Sequence, residues 1–388
     1  MARSVTAVVT SGGVCVGEVG PFEVEVPWWP EVESVVAYLQ PILGVPVVVL
    51  RLVHADGEGA LDGHVVYHVD ATGTTATLPP TSVDLGNGAA RRAAWANLDS
   101  LTELLMWAQD TLAALGRPAT GPVEQRKTWN LAGLFRLPTA AGPVWLKTLP
   151  PFAADERRAM AAFAAVDPTL VPAVLAGERD RLLLEHLPGE DCWDADAAVI
   201  ADGVRRVVAA QHTLDVVPWL PDRRTPAMIE QIDALLDRDL GLTPEEIAAA
   251  RALRPRWAEL DDCGLPDTIA HGDLHAGNMR SAGGPAAVLD FADAYVGNPV
   301  VDGLRLVDFL HASKHEAVTT AWVDAWRSLR PDTDPARALV VADPLIQLSY
   351  AVRYQEFLDG IEESEQVYHR DDPAVSVRRA IAAAPTGT

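Results

Sequence analysis

The chain has 388 residues, of which 49% are hydrophobic and 22% charged. That balance excludes a disordered chain and leaves room for two or three domains. Its 31 basic residues face 54 acidic ones, a formal net charge of −23, which argues against a general nucleic-acid binder, because neutralising phosphates takes Lys and Arg. Three dispersed cysteines, Cys15, Cys192 and Cys263, form no C-x-x-C pair, so a disulfide framework or zinc site is not expected and a reducing compartment fits. The N-terminus does not read as a signal peptide. The most apolar stretch, 35–53, is broken by Pro41, Gly44, Pro46 and Arg51, too interrupted for a membrane span. A cytoplasmic protein is the expectation.

In chain order, residues 4–10 and 14–26 predict strands joined through a Gly12-Gly13 turn. Residues 30–43 have helical spacing, with Val32, Val35, Val36, Leu39 and Leu43 on or near one face. Two further strands are predicted over 46–53 and 63–70, then a long helix over 89–115, stopped by Gly116 with Pro118 beyond. These elements make a small α+β module over 1–117, to which the residues assign no function. The second block, 118–187, reads as strands over 124–137 bent at Ala132-Gly133, a strand over 144–149, a helix over 152–166, and a hairpin of 172–177 with 181–187. The third block, 188–388, is helix-rich, with Thr225-Pro226 and Thr243-Pro244-Glu245-Glu246 as helix starts.

One non-helical island in that block carries the chemistry: His271-Gly272-Asp273-Leu274-His275-Ala276-Gly277-Asn278. Asp290 follows twelve residues after Asn278, within Val288-Leu289-Asp290-Phe291. Phosphoryl transfer needs a carboxylate that orients the attacking hydroxyl, and hard oxygen ligands for the divalent metal on the phosphates. Asp273 with Asn278 five residues on fits a loop carrying a catalytic base and a metal ligand. The turn-rich 281–285 and the apolar 286–289 predict a hairpin that returns Asp290 beside Asn278, so that the two oxygens share a metal.

This pattern resembles the signature of the aminoglycoside phosphotransferase and choline kinase-like family, related in fold to protein kinases. The resemblance covers about 118–388 and implies an α+β, bilobal protein-kinase-like fold: a β-rich small lobe over 118–187 and a helical large lobe over 188–388, preceded by the N-terminal module. It implies ATP and Mg²⁺ as cofactors, Asp273 as catalytic base, and Asn278 and Asp290 as magnesium ligands. Gly297-Asn298-Pro299-Val300-Val301-Asp302 resembles the family's G-x-P-x-x-D segment, whose Asp braces the catalytic loop. His212 ends a helix that the family also carries, and is read as structural.

The family further implies a strand lysine, a helix glutamate and a hinge. Lys147 closes the strand Val144-Trp145-Leu146. Glu156 shares a face with Phe152, Ala159, Met160 and Phe163, where a carboxylate needs a partner. Lys147 is the natural one, matching the kinase ion pair, while Asp155 points away and is read as solvated. The run 181–190 resembles the last small-lobe strand and hinge, with backbone groups near Glu185 and Leu187 pairing with adenine. There are two departures. The candidate phosphate loop, 129–133, has a single glycine and opens on Trp129. Asp302 is followed by Gly303 where the family has an apolar residue. A protein kinase is disfavoured by the missing glycine-rich loop and by Gly272 between His271 and Asp273.

The expected acceptor is a small molecule, first an aminoglycoside or amino sugar, whose ammonium groups could meet Glu190, Asp191 and Asp194, or Glu356, Asp359, Glu362 and Glu363 on a late helix. A neutral sugar, another small metabolite, or a non-catalytic nucleotide-binding role are the alternatives. Neither nucleic acid nor membrane is expected as a partner, and the residues do not specify an oligomeric state.

Overall fold

The computed structural model describes residues 3–86 and 90–384. Two units emerge, each discontinuous in sequence. The first comprises Met1–Phe152, Leu175–His186 and Phe357–Arg370, and the second Ala153–Val174, Leu187–Glu356 and Asp371–Thr388.

In the first unit, β1 (Arg3–Ser11), β2 (Val14–Val24), β3 (Val48–Glu58) and β4 (Leu61–Asp70) form a sheet in the order β2-β1-β4-β3. β1 runs parallel to β4, and the other neighbours are antiparallel. Helix α1 (Glu33–Leu43) buries Val35, Leu39 and Leu43 in one core with Val5, Val9, Trp29 and Tyr67, each large side chain worth about 2 kcal/mol of burial. Helix α2 (Leu98–Ala114) follows a 3₁₀ turn at Ala94–Ala96. A second sheet holds β5 (Glu124–Thr128), β6 (Gly133–Leu137), β7 (Val144–Thr148), β8 (Val174–Gly177) and β9 (Arg181–Glu185), in the order β5-β6-β7-β9-β8. The buried face of α2 (Leu101, Leu104, Ala108, Leu112) joins Leu50 of β3 and Phe135, Val144, Leu146 and Leu183 of this second sheet in one cluster.

The two sheets are also joined by polar groups. The Gln125 side chain accepts the Val49 N–H at 2.9 Å and donates to the Val49 carbonyl at 2.7 Å. The chain segment 357–370 joins them too: Glu365 accepts the Leu52 N–H at 3.2 Å, Ser364 donates to the Leu52 carbonyl at 3.0 Å, and Tyr368 enters the first core.

Three helix boundaries differ from the sequence reading, each for a local reason. α1 starts at Glu33 because the Pro30 carbonyl and the Val32 N–H are bonded to Thr128 and Arg126 of β5. α2 starts at Leu98 because Asn97 caps it, accepting the Asp99 and Ser100 N–H groups; the expected start at Ala89 lies outside the described residues. In the second unit, α3 (Glu156–Val166) starts four residues after Phe152, because Asp155 is its cap and accepts the Arg158 N–H at 3.1 Å. Asp155 is therefore a capping residue.

The rest of the second unit is helical, with α4 (Ala197–Thr213), α5 (Thr225–Leu236), α6 (Pro244–Arg251), α7 (Arg256–Asp261), α8 (Val300–Arg305), α9 (His315–Leu329), α10 (Pro335–Gly360) and α11 (Asp372–Ala383). Thr243 and Glu246 form the capping box expected at α6. Two small ladders interrupt the helices: β10 (Glu190–Asp191), β12 (Met279–Ser281) and β13 (Ala287–Val288) in one, β11 (Thr268–Ala270) and β14 (Tyr295–Gly297) in the other. α10 ends at Gly360, so Glu362 and Glu363 lie beyond it, with Glu363 opening a 3₁₀ turn. Among the described residues, no helix is long and apolar enough to cross a membrane.

Candidate active site

The loop 271–278 leaves β11, and the segment after Asp290 returns through β14, its antiparallel partner. Their pairing closes the segment 271–294, which contains the loop and Asp290. Asp302, fully buried in α8, braces its start: the carboxylate accepts the His271 and Gly272 N–H groups, each at 2.9 Å, and Gln211 Nε2 at 2.6 Å. Burial pushes the Asp302 carboxyl up in spite of these donors. His271 is the second brace. Its Nε2 meets the Leu289 carbonyl at 2.8 Å and its Nδ1 accepts the Asp273 N–H at 3.2 Å, which fits the tautomer with the proton on Nε2. His212 is exposed at the end of α4; its neighbour Gln211 is the residue that reaches the loop.

The Asp273 carboxylate is about a quarter exposed (26%). Its Oδ1 accepts Arg305 Nε at 2.7 Å, and its Oδ2 accepts Asn278 Nδ2 at 3.1 Å and lies 3.5 Å from His275 Nε2. Burial alone would raise this carboxyl. The hydrogen bond from His275 and the Arg305 guanidinium outweigh it and hold Asp273 well below the usual carboxylate range. Arg305 also donates to Asp308 Oδ2 at 2.7 Å. Sequence reasoning missed Arg305. The available signal was its position three residues after Asp302 on α8, which puts both on one helix face.

Asn278 and Asp290 are brought together by the backbone. The Asn278 carbonyl accepts the Leu289 N–H at 2.8 Å, and Met279 pairs with Val288 in the hairpin beyond. Asp290, next after Leu289, is exposed and left-handed, with φ 64°, a conformation Asp tolerates better than most side chains. Asn278 Nδ2 is committed to the Asp273 carbonyl and carboxylate, at 2.9 and 3.1 Å. The amide oxygen is thereby turned away from Asp273; an Asn oxygen and an Asp carboxylate are hard donors of the kind Mg²⁺ takes.

Glu156, buried at the start of α3, accepts the N–H of Phe291, the residue after Asp290, at 3.0 Å. The Phe291 ring packs 4.9 Å from Phe163 of α3 and 4.5 Å from His271, centroid to centroid. α3 is thus fastened to the segment that carries Asp290. Lys147 and Glu185 belong to the first unit. Lys147 is buried on β7, in register with Leu134 and Leu182. The Glu185 side chain ends β9 in an ion pair with Arg117. Leu187 begins the second unit's part of the chain here, and its carbonyl accepts Arg280 Nε at 2.9 Å.

Both departures have structural counterparts. Trp129 packs against Tyr368 and His369 of the segment 357–370, which makes the start of the candidate phosphate loop part of the first unit's packing. At Gly303 a Cβ would come 2.7 Å from the indole of Trp322 on α9, so the close approach of that ring requires glycine here.

A family model described as the phosphotransferase enzyme family matches residues 134–339, over half of the chain. The chain belongs to the phosphotransferase enzyme family. Its fold is that of solved kinase-like proteins. A proposed fructosamine-3-kinase of Thermobifida fusca superposes with a TM-score of 0.53 at 19% identity, over 70% of this chain and 97% of that one. A choline/ethanolamine kinase family protein of Mesorhizobium loti gives 0.52 at 17% identity, over 72% and 98%. The choline kinase LicA of Streptococcus pneumoniae gives 0.52 at 13% identity, over 72% and 97%. No curated protein matches the chain. As a member of this family the protein is a small-molecule phosphotransferase with a β-sheet lobe and a helical lobe; the family implies ATP as co-substrate and a small-molecule acceptor.

Proposed function

We propose that this phosphotransferase moves the γ-phosphoryl group of Mg-ATP to a hydroxyl of an amino sugar or aminoglycoside, with Asp273 as the residue that orients that hydroxyl. The observation that carries the reading is the hairpin that sets Asp290 beside Asn278, on the loop whose carboxylate is Asp273. Asn278 and Asp290 would hold Mg²⁺, which supplies charge neutralisation of the phosphates when bound. Lys147 would fix the phosphates, partnered by Glu156, and the backbone of Glu185 and Leu187 would pair with adenine. With the Leu187 carbonyl engaged by Arg280, the Leu187 N–H is the group assigned to the nucleotide.

Asp273 is a weak base in this setting, because Arg305 and His275 hold its proton affinity low. That suits a loose phosphoryl-transfer transition state, in which aligning the acceptor matters more than removing its proton early. The hydroxyl proton passes to an Asp273 carboxylate oxygen as the O–P bond completes. Arg305 keeps the carboxylate in place through a charge-assisted bond.

One observation favours a neutral sugar as the second reading. Three of the acids nominated for ammonium groups are already paired with arginine: Asp191 with Arg280 at 2.7 Å, Glu356 with Arg223 and Arg353 at 2.6 and 3.0 Å, and Glu362 with Arg51 and Arg92 at 3.5 and 3.2 Å. ADP release with ATP, Mg²⁺ and a panel of aminoglycosides, glucosamine, glucose and choline separates these readings. Turnover confined to the amino compounds supports the first; equal turnover of glucose and glucosamine replaces it with the second; no turnover with any sugar contradicts both.

A further inference from the structure

Three aromatic side chains gather beside Asp273. Trp193 and His275 stack with centroids 5.1 Å apart and planes 20° from parallel. Phe309 stands edge-on to both, 6.3 Å from Trp193 at 87° and 6.0 Å from His275 at 74°. The rings therefore form a corner with two perpendicular walls.

Phe309 does not behave as a core residue. It is 73% exposed, while Leu306 and Leu310 on either side are buried. Its φ is 62°, a left-handed conformation that is an outlier for a bulky side chain and is the kind of strain that collects at functional sites. The Arg305 guanidinium covers one face of the ring, with Cζ 5.1 Å from the centroid, and the same guanidinium holds Asp273 at 2.7 Å. The solvent-facing part of the ring thus stands one guanidinium away from the carboxylate that orients the acceptor.

Trp193 is held just as deliberately. The preceding residue, Cys192, donates its N–H to the carbonyls of Ala276 at 3.0 Å and Met279 at 2.9 Å, and Lys314 Nζ donates to the Trp193 carbonyl at 3.0 Å. The indole lies directly on Gly277, where a Cβ would come within 1.9 Å of the ring. Glycine at this position of the catalytic loop lets the indole lie against the loop.

We propose that Phe309, with Trp193 and His275, is the platform on which the acceptor's ring stacks, and that it selects acceptors presenting a flat C–H face, that is, pyranose or aminocyclitol rings. This inference rests on the phosphotransfer reading above and names the binding surface of the same site. An apolar sugar face against an aromatic wall leaves the hydroxyl rim pointing outward, where one hydroxyl reaches Asp273. A quaternary ammonium fits the corner poorly, because Arg305 already lies on Phe309 and Lys314 on the Trp193 carbonyl.

The test uses saturation-transfer NMR on the full-length protein without nucleotide, with glucosamine, kanamycin and choline as probes, alongside steady-state kinetics. Phe309→Gly removes the ring and relieves the positive φ, so loss of binding does not come from misfolding; Phe309→Tyr restores an aromatic face. The expected result is saturation of ring C–H protons by the wild type and by Phe309→Tyr. Phe309→Gly is expected to weaken the signal and to raise the acceptor KM by about tenfold, within the range of one aromatic stacking contact, with the KM for ATP changed less than about twofold. The platform is contradicted by an unchanged acceptor KM in Phe309→Gly, by failure of Phe309→Tyr to restore it, by choline giving the stronger signal, or by no sugar signal in the wild type. Sugar saturation that depends on Phe309 in a protein releasing no ADP would leave the platform standing and overturn the transfer reading instead.

Discussion

Asp273 in the second unit and Glu365 in the first are both carboxylates set beside arginine, yet their acidities move in opposite directions. Asp273 is held well below the usual range, with Arg305 directly on Oδ1. Glu365 is pushed up to about 8, first by burial and then by the charge of Glu362. Arg51 and Arg92 do lie close, but both face Glu362, at 3.5 and 3.2 Å, while Glu365 accepts the Leu52 N–H at 3.2 Å. What sets each acid is therefore the geometry of pairing and the degree of burial, since both clusters contain arginine. An acid bonded directly by an arginine and in touch with solvent stays ionised. One that cedes its arginines to a neighbouring acid behaves as a buried group awaiting a proton.

The largest expected effect breaks the first half of this contrast. Asp273→Ala should lower kcat by more than about a hundredfold, the scale for a lost acid–base group, while calorimetric Mg-ATP affinity stays within about twofold. Near-normal turnover would remove Asp273 from the chemistry. Next in size is Arg305→Gln. Without the guanidinium, the folded-state pKa of Asp273 rises toward the ordinary value, so the carboxylate protonates at higher pH. The acid limb of kcat/KM should shift upward, with kcat lowered by about tenfold; an unmoved acid limb would show that Arg305 does not set this carboxylate.

The smallest effect belongs to Glu365 and concerns stability. Its folded pKa of about 8 lies above the unfolded value near 4.5, so the native state holds a proton that the unfolded state has lost. Stability must fall as pH rises between those values, by at most about 1.4 kcal/mol per pH unit. His68 works the other way. Burial and the charge of Arg51 push it down to about 4, so it removes stability only as pH falls below its ordinary value of 6.5. The slope from about pH 6.5 to 8 is therefore assigned to Glu365. Thermal melts across that window should show a falling midpoint for the wild type and a flatter one for Glu365→Gln. Parallel slopes would disprove the assignment.

Much of the site could be read from the chain, because the chemistry imposes side chains at short spacing. Asp273, Asn278 and Asp290 stand on one loop and one hairpin, and local turn residues set that geometry. Asp302 was legible as a brace only through the resemblance of 297–302 to the family's G-x-P-x-x-D segment. What escaped notice depends on approach between distant segments. Gln211 reaches Asp302 across 91 residues, a contact that nothing in its local sequence marks. The segment 357–370 joins the first unit through Leu52, Trp29 and Trp129, and no periodicity within it announces that partner. The N-terminal module likewise read as a separate block, because its bonds to β5 run through backbone groups and the Gln125 amide, which leave no sequence pattern.

The most direct measurement is mass spectrometry of an amino-sugar acceptor incubated with ATP and Mg²⁺, using wild type and Asp273→Asn side by side. The acceptor is expected to gain one phosphoryl group with the wild type and none with the variant over the same time. ADP formation with no phosphorylated acceptor, or equal product from both proteins, would contradict it.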